Sequence, residues 1–371
     1  MATRTRAAEI AVDGLEVTAY TVPTDEPESD GTLEWDSTTI VVVEARGGGE
    51  RGVGYTYGDV AVATLIRSKL ADVVEGADAM APSATWASMH AALRNVGQPG
   101  VGSMALSAVD IALWDLKARL LGVSVADLVP RARRRVPVYG SGGFTSYSHD
   151  RLGAQLADWV EEGIPRVKMK IGRDPQRDPE RLAAARSAVG REVELMVDAN
   201  GAYEVPEAIA WANRLLEEWD VEYLEEPTTS DDPGGLARVR DHAPPGLAIA
   251  AGEYAWDVYA CGRLLDAGAV DILQADVTRC GGITSLLRID GLCAAGNVPF
   301  SAHCAPAVSA HACCGMQTVL HIEYFHDHTR VERIVFDGVV DARDGCLEPD
   351  RDRPGLGLEL RRPDALEYAV S

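Results

Sequence analysis

From Val136 to Phe325 the sequence alternates between short apolar runs and longer amphipathic stretches. The runs are VPVYGS, VKMKI, LMVDAN, YLEEP, IAAGE, ILQAD, VPFSAH and HIEYF, eight in all, recurring about every 20 to 30 residues. The stretches between them, such as SHDRLGAQLADWVEEG and PEAIAWANRLLEEW, carry helical patterns. One strand plus one crossover helix has that length, and a parallel pair of strands requires such a crossover. Eight such units close on themselves, which predicts an α/β fold with a (β/α)8-type barrel over residues 131–340.

Nearly every run closes on a polar or ionisable residue: Ser141, Lys170, Asp198 with Asn200, Glu225, Glu253, Asp276, His303 and Glu323. In a barrel of this kind the C-terminal strand ends face one cleft, so side chains scattered over about 180 residues converge. Within VKMKIG, the period-two alternation of a strand sends Lys168 and Lys170 to one face and Val167, Met169 and Ile171 to the other. Two like charges are then aimed at one spot.

Residues 1–130 read as a separate α+β unit. EIAVDGLEVTAYTV and STTIVVVEARG are expected strands, split by the acidic, turn-rich PTDEPESDG. Three helical patterns follow, the strongest being GSMALSAVDIALWDLKARLLG, where Leu106, Val109, Leu113, Leu116 and Leu120 keep helical spacing and Gly122 is the stop. Residues 341–371, punctuated by Gly345, Pro354 and Gly355, are too long for a barrel helix and are expected to return to the N-terminal unit.

A formal charge of −22 argues against nucleic acid or anionic membrane as a partner, since either repels an acidic surface. The N-terminal stretch has no apolar signal core, and no segment reaches the roughly 18 apolar residues of a membrane span, so a soluble cytoplasmic protein is expected. Seven cysteines without a C-x-x-C pair read as reduced core residues.

Asp198, Glu225 and Glu253 end three successive runs. Three carboxylates in one cleft repel unless a cation sits among them, and an all-oxygen set favours Mg²⁺ over Zn²⁺. Lys168 and Lys170 face that cation from the second run, Asp276 and His303 from the sixth and seventh. A neighbouring ammonium and a nearby cation both lower a lysine's proton affinity toward the range of a working base. Asp276 beside His303 makes an oriented imidazole. Two proton-transfer groups on opposite walls predict removal of a proton α to a carboxylate, and Glu323, if protonated, donates a hydrogen bond to the resulting anion.

Together these motifs resemble the enolase superfamily, mandelate racemase subgroup. VKMKIG is similar to its K-x-K motif, VDANGAY, LEEP and AAGE to its metal-ligand strands, and DVTRCGGIT with SAHCAP to its Asp–His dyad. SAVDIALWDLKARLLG resembles its capping-domain helix and PGLGLEL its C-terminal segment. The resemblance implies an enolase-like modified TIM barrel beneath an N-terminal capping domain completed by the C-terminal segment. It also implies Mg²⁺ as cofactor, a small-molecule carboxylate as substrate and a homo-oligomer. Carried over by residue, it makes Lys170 the base and Lys168 its tuning partner, with Asp198, Glu225 and Glu253 as metal ligands. His303 with Asp276 becomes the acid/base of the other face and Glu323 the electrophilic stabiliser. In LEEP the ligand is Glu225, since alternation turns Glu226 away. Ser141, Asn200 and Arg279 are candidate substrate contacts.

Three tempting features are read as structural: the cluster of His321, His326 and His328, because the cation is supplied elsewhere; GSGG at 140–143, which lacks a P-loop lysine; and RARRR at 131–135, a solvated linker. The stretch from Pro23 to Trp35 is the expected lid, and its Thr, Asp, Glu and Ser suit a polyhydroxylated substrate. An acid sugar dehydratase, a Mg-dependent carbon–oxygen lyase, is therefore expected. The alternative is a racemase, epimerase or cycloisomerase acting through the same enolate. A Schiff-base aldolase shares the barrel-strand lysine without needing three carboxylates, and a barrel that only binds ligand would not need Lys170.

Overall fold

A computed structural model describes residues 9–370. Its first three strands, β1 (Val12–Ser29), β2 (Glu34–Gly47) and β3 (Glu50–Tyr57), form an antiparallel meander. Val41, Val43 and Ala45 pack on the helices of this unit, while Ile40, Val42 and Tyr55 on the alternate face join the core that runs into the barrel. Burial on both faces accounts for the unbroken apolar IVVV of β2.

The long helix Val101–Leu121 lies directly on β3. Gly52 and Gly54 allow this approach, because a Cβ on either would stand 2.3 Å from the helix backbone, at Ala112 O and Ala108 O. The far side of the helix holds the barrel: Trp114 Nε1 donates to Thr284 Oγ1 at 2.8 Å, and Asp110 accepts from the Thr284 N–H at 2.9 Å. The C-terminal residues Ala369–Val370 return to pair with β1.

The barrel strands are β4 (Val136–Gly142), β5 (Arg166–Lys170), β6 (Glu194–Asp198), β7 (Val221–Glu225), β8 (Ala248–Ala251), β9 (Ile272–Asp276), β10 (Phe300–His303) and β11 (Val319–Phe325). Each pairs in parallel with the next, and β11 pairs with β4, so the sheet closes. Helices cover the outside; Val205–Trp219, for instance, buries Ala208, Trp211, Ala212 and Leu215, one apolar stripe at i, i+3, i+4 and i+7. Val167 and Met169 face such helices, while Tyr139, Met196, Tyr223, Ala250 and Ile272 fill the barrel axis as a separate small core.

Pro23 to Trp35 differs from the expected loop. β1 runs through it to Ser29, with an irregularity between Pro23 and Glu28, and only Asp30 to Leu33 separates it from β2. Glu28 is fully buried and accepts from Trp35 Nε1 at 2.9 Å. Pairing with β2 outweighs the turn preferences of PTDEPESDG. No helix among the described residues is long and apolar enough to cross a membrane.

Candidate active site

The barrel register sets the strand-end residues level with one another. Lys170 is the partner of Asp198, Asp198 of Glu225, and Asp276 of His303. Lys168, two residues back on the same face, is fully buried, with Nζ 2.6 Å from both Glu225 oxygens and 2.9 Å from Glu323 Oε1. Lys170 Nζ bonds Asp198 Oδ2. On the opposite wall His303 Nδ1 meets Asp276 Oδ2 at 2.8 Å, and Nε2 lies 2.5 Å from Glu253 Oε2. Thr278 fixes the orienting carboxylate, donating its N–H and Oγ1–H to Asp276 Oδ1 at 2.6 Å each.

Burial alone pulls both lysines down, but the carboxylates prevail. Lys168 is held well above lysine's ordinary value by Glu225 and Glu323, and Lys170 is raised by Asp198 against the opposing push of Lys168. The expected mutual lowering of the two ammoniums is therefore overridden in this arrangement. Burial and the Asp198 charge push Glu225 up to about 8. Burial also opposes the charge on Glu323, yet Lys168 and His303 hold it well below the usual carboxylate range. An ionised Glu323 cannot donate the hydrogen bond expected of it. It accepts instead, from Ser141 Oγ at 2.6 Å and Cys304 N at 3.3 Å.

Asp198, Glu225, Glu253, Asp276 and Glu323 set five carboxylates around Lys168, Lys170, Arg279 and His303, whose proton affinity is raised against its burial by neighbours that include Cys304, Glu253 and Glu323. The remaining excess of negative charge favours a bound cation. The donor set at Asp198, Glu225 and Glu253 is all oxygen, and beside it the buried Asn200 Oδ1 has no partner. Both features fit a hard cation.

The sequence matches the family model for the mandelate racemase / muconate lactonizing enzyme N-terminal domain over residues 16–129, and the enolase C-terminal domain-like model over 151–365. The chain belongs to the mandelate racemase/muconate lactonizing enzyme family. A 3,6-anhydro-alpha-L-galactonate cycloisomerase from Streptomyces coelicolor is 32% identical across 94% of this chain and 97% of its own. A D-galactarolactone cycloisomerase from Agrobacterium fabrum is 31% identical, across 93% and 95%. An L-talarate/galactarate dehydratase from Salmonella typhimurium is 32% identical, across 86% and 80%. Among solved structures, a mandelate racemase/muconate lactonizing enzyme-like protein from Rubrobacter xylanophilus superposes with a TM-score of 0.95 at 63% identity, covering 97% of this chain and 100% of that one. A racemase from Streptomyces coelicolor with bound magnesium superposes at 0.90 with 31% identity, covering 97% and 100%.

In this family member the remaining candidate residues part ways. Asn200 and Arg279 line a cleft of about 710 Å³ together with Lys170, Glu253 and His303. Ser141 does not reach the cleft; it is fully buried behind Glu323 and positions that carboxylate. Glu226 sits just past β7 in left-handed backbone (φ 41°), with Oε1 accepting from Gly252 N at 3.0 Å, and burial pushes its carboxyl well above the usual range. The three histidines separate: His321 meets Ser301 inside the barrel at 3.0 Å, His326 meets Asp25 at 3.1 Å, and His328 stacks on Tyr57 with centroids 3.5 Å apart. Two site residues escaped the sequence reading. Gln274 donates to Glu225 Oε2 at 2.8 Å, and its place two residues before Asp276 in ILQAD was a usable signal for an inward side chain. Cys304, which touches Glu323 Oε2 at 3.3 Å, gave no signal beyond following His303.

Proposed function

We propose that this protein is a Mg²⁺-dependent lyase that removes the proton α to the carboxylate of an acid sugar and expels the β-hydroxyl. The observation that carries this reading is the placement of Lys170 and an Asp276-oriented His303 on opposite walls of one buried carboxylate cluster. Mg²⁺ held by Asp198, Glu225 and Glu253 would supply Lewis acidity to the substrate carboxylate and so acidify the α C–H. Were Asp198 engaged in that way, the burial of Lys170 would no longer be opposed by its closest anion, and its ammonium would release a proton more readily. Lys170 then takes the α proton. His303 gives a proton to the departing β-hydroxyl, the β C–O bond breaks, and water leaves. The enol product tautomerises to a 2-keto-3-deoxy acid. Asn200 and Arg279 face the cleft as substrate contacts, while Glu323, held ionised, anchors Lys168 and the Cys304 N–H beneath the site. We place the capping unit at 1–130, the barrel at 131–340 and the returning segment at 341–371, and expect a cytoplasmic homo-oligomer.

The dehydratase relative supports this reading. Cycloisomerisation is the second reading, because the two cycloisomerases match over almost the whole chain. It uses the same α-proton removal and differs in breaking a ring C–O bond. A panel of acid sugars with their lactones and anhydro forms, incubated with Mg²⁺, decides the matter. Semicarbazide detects the 2-keto-3-deoxy acid, and product mass separates loss of water from isomerisation. Absence of α-proton exchange in ²H₂O for every member would refute both.

A further inference from the structure

We infer that the substrate is a sugar monocarboxylate, uncharged at its far end, and that dicarboxylate sugars are poor substrates. This rests on the proposed α-proton chemistry at the same cleft.

The positive charge of the cleft is confined to its reacting end. Lys170 and Arg279 are the only Lys or Arg among its described lining residues, and both are tied to the carboxylate cluster, Lys170 at Asp198 and Arg279 at 3.7 Å from Asp276 and 3.9 Å from Glu253. Apolar and aromatic side chains, Leu33, Trp35, Met104, Tyr254 and Phe325, line the rest of the cleft beside the hydroxyls of Ser37, Thr38 and Thr39. Trp35 presents its ring there, because Nε1 is committed to Glu28 at 2.9 Å.

Two acids stand at the rim, Asp30 and Asp59. Asp30 Oδ1 accepts from the N–H groups of Thr32 and Leu33 at 2.7 Å each, and Asp59 Oδ1 from Ala61 N at 2.8 Å. These bonds fix both carboxylates in place, and neither has a Lys or Arg within ion-pair distance among the described residues. Arg173, near the hairpin tip, is held by Glu34 at 2.9 Å and by the Leu33 carbonyl at 3.3 Å, and it lines a different depression. With Lys170 and Arg279 engaged at the reacting end, a second substrate carboxylate would meet acids and ring faces with no further Lys or Arg among the described lining residues, and like charges brought together in this way are strongly disfavoured. A ring ether, a CH₂ or a neutral hydroxyl meets no such opposition.

The test compares substrates of matched configuration, aldonates and their anhydro forms against aldarates, by kcat/KM with Mg²⁺ and the full chain. Monoacids favoured by about 100-fold or more are expected. In Leu33→Arg, which places a cation on an already exposed position, the diacid-to-monoacid ratio should rise about tenfold. Diacids turned over as well as monoacids, or a ratio unmoved in the variant, overturn this inference and leave the α-proton chemistry standing. No α-proton exchange with either class overturns the proposed function and this inference with it.

Discussion

Gly31 lies between the last residues of β1 and the first of β2 and touches the barrel mouth through backbone alone. A Cβ added there would stand 2.2 Å from the Ala199 carbonyl oxygen and 2.9 Å from that of Ile171. Neither carbonyl is free to yield: Ile171 N is bonded to Asp198 O at 2.9 Å and Ala199 N to Glu225 O at 3.1 Å, so both belong to the frame that carries the candidate ligands. Since real Cβ contacts stay above 3.0 Å, Gly31→Ala must push the hairpin outward by at least about 0.8 Å. The hairpin delivers Asp30, Leu33 and Trp35 to the cleft and is pinned nearby by the Ser29–Thr145 hydroxyl pair at 2.6 Å. A misplacement of that size costs about 10- to 100-fold in kcat/KM. The strain should cost about 1–3 kcal/mol of stability, the range for overpacked sites. Steady-state turnover of an accepted sugar acid measures the first effect and denaturant melts the second. Amide hydrogen exchange over residues 23–35 gives a readout that needs no substrate, and it should quicken. Wild-type kcat/KM together with unchanged exchange would show that the hairpin does not set the cleft.

Lys170→Ala should lower turnover by about 10²–10⁴-fold and abolish α-proton exchange, whereas His303→Asn should lose product while keeping that exchange, since NMR in ²H₂O follows the two steps separately. If both variants lose exchange alike, the assignment of Lys170 as the base fails. Chelation should abolish activity, and Mg²⁺ at about 100 times its Kd should stabilise the fold by about 2.7 kcal/mol, seen as a rise in the melting midpoint; a midpoint indifferent to Mg²⁺ counts against the site. Asp110, fully buried between the capping helix and the barrel, is raised to about 7 by burial despite its bonds to Thr284. An unfolded aspartate titrates near 4, so the folded state binds this proton more tightly, and the resulting stability is complete below about pH 4, declines as pH rises and is gone above about pH 7. Asp110→Asn keeps a neutral group there, so relative to wild type it should gain up to about 4 kcal/mol on going from pH 4 to 8, measured by urea midpoints; a pH-independent difference refutes the titration.

The barrel was legible because a strand covered by helices must be apolar along its length, and because its polar C-terminal residue stands out against that run. Glu253 could be placed this way although it lies two residues past the end of β8. The Pro23–Trp35 hairpin was not legible, since its extended form depends on pairing between Glu28 and Trp35 and on Thr145 far along the chain. Asn200, Glu226 and Cys304 all adopt left-handed backbone, a conformation that Asn favours but that nothing announces in a Glu or a Cys. Charge states were hidden for a different reason. Alternation shows that Lys168 and Glu323 point inward, but only their 2.9 Å separation reveals that Glu323 is held ionised.

That separation also distinguishes the two lysines of VKMKIG. Only Lys170 lines the cleft; Lys168 is fully buried, with its ammonium enclosed by Glu225, Glu323 and the Tyr139 ring 5.1 Å away. A group without access cannot take a proton from substrate, so in the proposed reaction Lys168 would act through the field it creates. Two of its carboxylate neighbours, Asp198 and Glu225, belong to the candidate metal set, and the third is Glu323. A divalent ion held by the first two would leave the charge of Lys168 to Glu323 and to the push it exerts on Lys170. Two residues of strand rise would therefore separate the proposed base from the lysine that tunes it, and the conflict of like charges would become useful once the cation is in place.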